Sequence, residues 1–107
     1  MQYETDTNLA IHVTDLAQAK SFYTTVLGFK LLEENDDRLV FSTGSLTLFV
    51  VKDEIIMPFI PALGVNNLDE ARRHLESNDG KIVREFEKMR SFYFADPFGI
   101  VWDVNEP

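Results

Sequence analysis

The chain has no cysteine and only two histidines, His12 and His74. The first absence excludes disulfides, thiolate metal sites and a cysteine nucleophile. No apolar run approaches the roughly 20 residues that a bilayer-spanning helix needs. Positive charge is scarce as well: 10 Lys and Arg stand against 18 Asp and Glu, for a net charge of -8. Such a surface repels phosphate, which argues against nucleic acids and anionic membranes as partners. It suits a cationic ligand, and it equally serves plain solubility. The opening stretch MQYETDTN is polar and acidic, unlike a secretory signal. Together these features lead to the expectation of a cytoplasmic protein.

What is present is a phrase written twice. Asp15 stands before an apolar-periodic stretch with Gln18 three residues on, the pattern of an N-cap and its capping-box partner. Leu16, Ala19, Phe22, Tyr23, Val26 and Leu27 follow at helical spacing, and Gly28 sits where a helix end wants a glycine. At an offset of 52 residues the frame recurs, with Asn67 as cap, Glu70 as its partner, Leu68, Ala71 and Leu75 as apolar face, and Gly80 as stop. Caps and core positions match while surface residues differ, which points to an internal duplication.

A strand precedes each helix, at residues 8–14 and 59–65. Three strand-like runs follow each one: FKLLEE, RLVFST and LTLFVVK in the first half, KIVREF, SFYFAD and IVWDVN in the second. ENDD, TGS and DPFG supply the turns. The expected fold is α+β, a single domain of two βαβββ modules, residues 8–52 and 59–107. KDEIIMP joins them, stiffened by Pro58 and Pro61. A four-stranded sheet with a helix on one face leaves the other face bare, and a second module can complete the enclosure.

Two stretches carry a family resemblance. HVTDLAQAKSFYTTVLGFKLL resembles the strand, Asp-Leu helix start, Phe-Tyr and Leu-Gly-Phe of the vicinal oxygen chelate superfamily, which includes glyoxalase I, bleomycin-resistance proteins and extradiol dioxygenases. FYFADPFGIVWDVNEP is similar to its Asp-Pro-x-Gly turn and Trp-acid strand. The resemblance spans essentially the whole chain and implies curved mixed sheets around a cavity. It also implies a twofold homodimer. It says little about activity, since one fold hosts many.

Strand alternation sorts the side chains. Leu9, Ile11 and Val13 should face the helix, leaving Asn8, Ala10 and His12 to the cavity. Trp102 and Val104 should pack on the second helix, leaving Asp103 to the cavity. Tyr93 reads as cavity wall, and Phe41 matches it at the 52-residue offset. Metal-using members of the family place ligands at four positions, which correspond here to Asn8, Phe49, Ile60 and Asp103. Only Asp103 among them is a good ligand for a divalent ion. No metal and no cofactor are therefore expected. His12 reads either as a hydrogen-bonded pocket residue or as a ligand-contacting or acid/base group, with a His12–Asp103 metal pair as a further alternative. His74 reads as a plain helix histidine. The scattered arginines form no nucleic-acid patch, and Phe98, at a loop tip, reads as a packing, dimer or ligand contact.

Three functional readings follow. The first is a metal-free small-molecule binding protein of the bleomycin-resistance type. It would take an aromatic or amphipathic ligand, cations included, among His12, Phe41, Phe49, Ile60, Tyr93 and Asp103. The second is a metal-dependent glyoxalase-like lyase or isomerase, or a dioxygenase, with a shifted ligand set. The third is a structural or regulatory dimer with a vestigial pocket.

Overall fold

A computed structural model describes residues 1–106. Pro107, which ends the second family motif, lies outside the described residues. Chain contacts define two units, Thr7–Ile60 and Pro61 onward together with Met1–Asp6.

The first unit contains β1 (Glu4–Val13, from Thr7), α1 (Leu16–Ser21), β2 (Lys30–Glu34), β3 (Arg38–Ser42) and β4 (Thr47–Lys52). Its strands lie in the order β2-β3-β4-β1. β1 runs parallel to β4, and the two hairpin pairs are antiparallel. The second unit repeats the plan with β5 (Met57–Gly64, from Pro61), α2 (Leu68–Glu76), β6 (Lys81–Phe86), β7 (Ser91–Ala95) and β8 (Val101–Asn105). Here the order is β6-β7-β8-β5, with β5 parallel to β8. The fold is α+β, two βαβββ modules in sequence. Among the described residues, no helix is long and apolar enough to cross a membrane.

Both helices start as their caps dictate. The Asp15 side chain accepts from Gln18 N at 3.0 Å and that of Asn67 from Glu70 N at 2.9 Å, each satisfying an amide the helix leaves unpaired. Each helix then covers one face of its sheet. In the first unit Ile11, Ala19, Leu39, Phe41, Leu48 and Val50 form the core, with Leu9, Val13 and Leu16 packed against it. In the second, Val65, Ala71, Phe92, Phe94 and Val104 do so, with Trp102 beside them. Each fully buried Leu, Val or Phe here stabilises by roughly 1.5–3 kcal/mol. A matching bulge marks both modules: the register slips at Leu32 in β2 and at Val83 in β6.

Three details depart from the sequence reading. First, α1 ends at Ser21 and continues as a π-helical turn, Phe22–Val26, with Leu27 N bonding to Phe22 O. The Thr24 hydroxyl donates to Lys20 O at 2.6 Å, competing with the backbone for that carbonyl. The widened turn takes later side chains off the core stripe. Tyr23 stays on the core, whereas Phe22, Val26 and Leu27 are 49%, 64% and 48% exposed. Second, Gly28 adopts the expected left-handed backbone (φ +73°), but at the second helix that role falls to Asp79 (φ +66°). Gly80 is needed there for space: a Cβ would lie 2.8 Å from Leu75 O. Third, Pro58 and Pro61 lie inside β5 rather than in a linker. Proline fits extended backbone and merely removes an N–H donor.

Candidate functional site

Each sheet has a second face, turned away from its helix. In the second unit the register sets Ala62, Asp103, Tyr93 and Arg84 side by side across β5, β8, β7 and β6. Phe86 packs edge-on to Tyr93 at 4.8 Å between ring centroids, and the Arg84 guanidinium stacks over Phe86 at 5.2 Å. Ala62 and Tyr93 are buried. Asp103 Oδ1 is fully buried and has no hydrogen-bond partner among the described residues. Burial first, and the like charge of Asp6 second, push its carboxyl up to about 6. A carboxylate so placed accepts a cation or a proton readily, because no hydrogen bond among the described residues repays the lost hydration of Oδ1.

The equivalent row in the first unit is Ala10, Phe49 and Val40. Phe49 takes the place of the acid, and Arg38 stacks over its ring at 5.6 Å while also pairing with Glu33. One step along β1, His12 is wholly buried, and its Nδ1 lies 2.7 Å from Asp53 Oδ2. Asp53 is held in turn: its N–H donates to Val13 O, and its Oδ1 accepts from Glu54 N. This pair was not foreseen, because Asp53 falls in the stretch read as a linker. An acid at the end of a strand parallel to the one bearing a buried histidine was the available signal.

Of the six residues expected at the site, the structure therefore puts Asp103 and Tyr93 together on one face of the second unit. His12 and Phe49 share the helix-free face of the first. Ile60 is buried on β5, two residues before Ala62 and so on the same side of that strand. Phe41 must be corrected. It lies in the helix-side core of the first unit, fully buried and edge-on to Tyr23. The offset is the cause. The β6–β7 connection, which carries the short 3₁₀ turn Glu87–Met89, is longer than its β2–β3 counterpart. Val40, not Phe41, is thus the partner position of Tyr93, at a spacing of 53. A slip of one residue reverses the face.

The DPFG turn is a lock for the last strand. Asp96 Oδ1 accepts from Phe98 N and Ile100 N, and its Oδ2 from Trp102 Nε1 at 3.1 Å. Burial works to raise the Asp96 carboxyl, but these bonds outweigh it and hold the group below its ordinary value. Trp102 is thereby fixed on the helix side, which directs Asp103 to the other face.

Two modules of this plan, with an Asp-Pro-x-Gly turn ahead of the acid-bearing final strand, define a superfamily. The family model described as Glyoxalase/Bleomycin resistance protein/Dioxygenase superfamily matches residues 7–104, and the chain belongs to that superfamily. No curated protein matches its sequence. Solved structures resemble its fold. The hypothetical protein BH1468 from Bacillus halodurans C-125 is similar at TM-score 0.73 and 16% identity, with 100% of this chain and 96% of that one covered. A glyoxalase/bleomycin resistance protein/dioxygenase superfamily member from Vibrio splendidus 12B01 gives 0.71 and 13%, covering 97% and 100%. Homoprotocatechuate 2,3-dioxygenase from Arthrobacter globiformis gives 0.72 and 23%, over 95% of this chain and 35% of that one.

Metal-using members of the superfamily set the test for a metal. The corresponding residues, Asn8, Phe49, Ile60 and Asp103, include two side chains with no donor atom at all. Among the described residues, no three His, Asp or Glu side chains gather closely enough to hold an ion. The donor set does not fit a divalent metal at these positions.

Proposed function

We propose that the chain is a small-molecule binding protein of the bleomycin-resistance type, and that it takes an aromatic or amphipathic cation on the helix-free face of its second unit. The observation that carries this reading is Asp103, a half-buried carboxylate beside the Tyr93–Phe86 ring pair, whose Oδ1 is fully buried and has no hydrogen-bond partner among the described residues. A cationic group supplies the charge that Asp103 lacks, and an aromatic body finds apolar and stacking surface next to it. Asp103 orients the ligand; no bond is made or broken, and no metal is required.

The experiment is calorimetric titration with phenethylammonium and with its uncharged counterpart, phenylethanol, at pH 7.5. The cation should bind and the alcohol should bind at least tenfold more weakly. Asp103→Asn should remove that preference while Tyr93→Leu weakens both. Equal binding of the two probes, or an unchanged preference in Asp103→Asn, would sink the assignment.

A further inference from the structure

The two helices differ in a way that the fold does not require. On α1 and the turn after it, Phe22, Val26 and Leu27 stand exposed, whereas the 52-residue offset puts His74, Asn78 and Asp79 at the matching places on and after α2. The second module shows that polar residues serve there. Phe22 also forms, with Val13, Ala19, Tyr23 and Ile56, the wall of an apolar cleft of about 240 Å³ in the first unit. Ile55 and Ile56 are 62% and 72% exposed, so the apolar surface extends beyond the cleft. The cleft is smaller than the roughly 300–1,000 Å³ typical of sites for drug-sized ligands. It is of a size for a single large side chain.

We infer that this cleft and the apolar strip beside it dock a basic amphipathic segment of a partner protein, which anchors one bulky apolar side chain between Phe22 and Ile56. The charge around the cleft selects the occupant. Asp15 lines it and no Lys or Arg does; the Asp53 N–H donates to the carbonyl of its wall residue Val13 while the Asp53 carboxylate turns to His12, and Glu54 comes next in sequence. Lys52 stands opposite Val13 in register, and Arg38 stands opposite the neighbouring Val51. A second copy of this chain would bring the same acids face to face, on a molecule already at -8. Lysines or arginines flanking an apolar anchor would instead be attracted, and anchors seated in small apolar pockets carry most of an interface's affinity. The cleft shares no residue with the Asp103 row, so each can fail without the other.

The test is fluorescence anisotropy with a labelled 18-residue peptide of Leu, Lys and a single Trp, patterned as an amphipathic helix. The whole protein should bind it, and the same peptide with Glu for Lys should bind at least tenfold more weakly. Phe22→Ser and Ile56→Ser should each weaken binding about tenfold, with unchanged circular dichroism. Phe98→Ser, which removes an aromatic side chain 85% exposed on the DPFG turn, should leave it unchanged. Three results would overturn the inference: no binding, equal binding of the acidic peptide, or an equal loss in Phe98→Ser. So would a dimer in sedimentation that Ile56→Ser dissociates, since that result gives the face to a second copy.

Discussion

The two helix-free faces are the same piece of architecture with different chemistry. Where the first unit has Ala10, Phe49 and Val40, the second has Ala62, Asp103 and Tyr93. The helix-side faces did not diverge in this way. Leu39 and Phe41 correspond there to Phe92 and Phe94, and all four are buried and apolar. The core face must exclude water in both modules, so its polarity is fixed by stability. The opposite face is buried as well at Val40, Ala62 and Tyr93, yet it also carries His12 and Asp103, so polar groups are tolerated there at a local energetic cost.

The sharpest way to test that division is to cut into the face that did not diverge. Phe41→Ala removes a fully buried ring from the first core and should destabilise the protein by about 3–5 kcal/mol, read from urea unfolding. A change below about 1 kcal/mol would mean that Phe41 stands on the open face after all.

Asp103 should behave in the opposite sense. Its folded pKa of about 6 lies above the ordinary 3.8, so the folded chain holds the proton more tightly than the unfolded one. The resulting stabilisation is complete below pH 4 and is lost as pH rises through about 6, a loss of about 3 kcal/mol. Asp103→Asn abolishes the loss. At pH 8 the variant should therefore melt at a higher temperature than the parent protein, with the gap closing below pH 4. A variant less stable at pH 8 would show that the carboxylate is paired in the folded protein. A gain in stability coupled to loss of cation binding is the usual signature of a functional group held in an unfavourable place.

The first unit's own polar group gives a smaller contrast. Asp53→Asn keeps the shape of the side chain but removes the charge from the bond to buried His12, and should destabilise by about 1–3 kcal/mol. No loss at neutral pH would show that the bond contributes nothing net. The smallest effect expected is for Trp102→Phe, which loses one hydrogen bond to Asp96 and keeps most of the packing. About 1 kcal/mol should be lost, and amide exchange at Phe98 and Ile100 should quicken as the turn loosens.

Much of this was legible in the chain because it is local. Asp15 and Asn67 cap their helices as their side chains allow, and the strand alternation around Ile11 and Trp102 holds. The left-handed backbone at Gly28 follows from its place after an apolar stripe. Phe41 and Val26 lie off the expected faces for a shared reason. Both depend on how many residues a turn consumes, through the longer β6–β7 connection in one case and the widened π turn in the other. Composition does not state that number.

The sequence by itself determined the duplicated frame, the periodicity of each strand and helix, and the type of residue at each would-be metal position, since these need only neighbours a few places away. Tertiary structure alone decided that Asp103 Oδ1 is buried with no donor to it among the described residues, that Asp53 reaches back to His12, and that Phe22 and Ile56 wall one cleft. Each of these is a meeting of residues far apart in the chain or a loss of water. Both are set by the register of the strands and the packing of the helix on the sheet, which no short stretch of sequence contains.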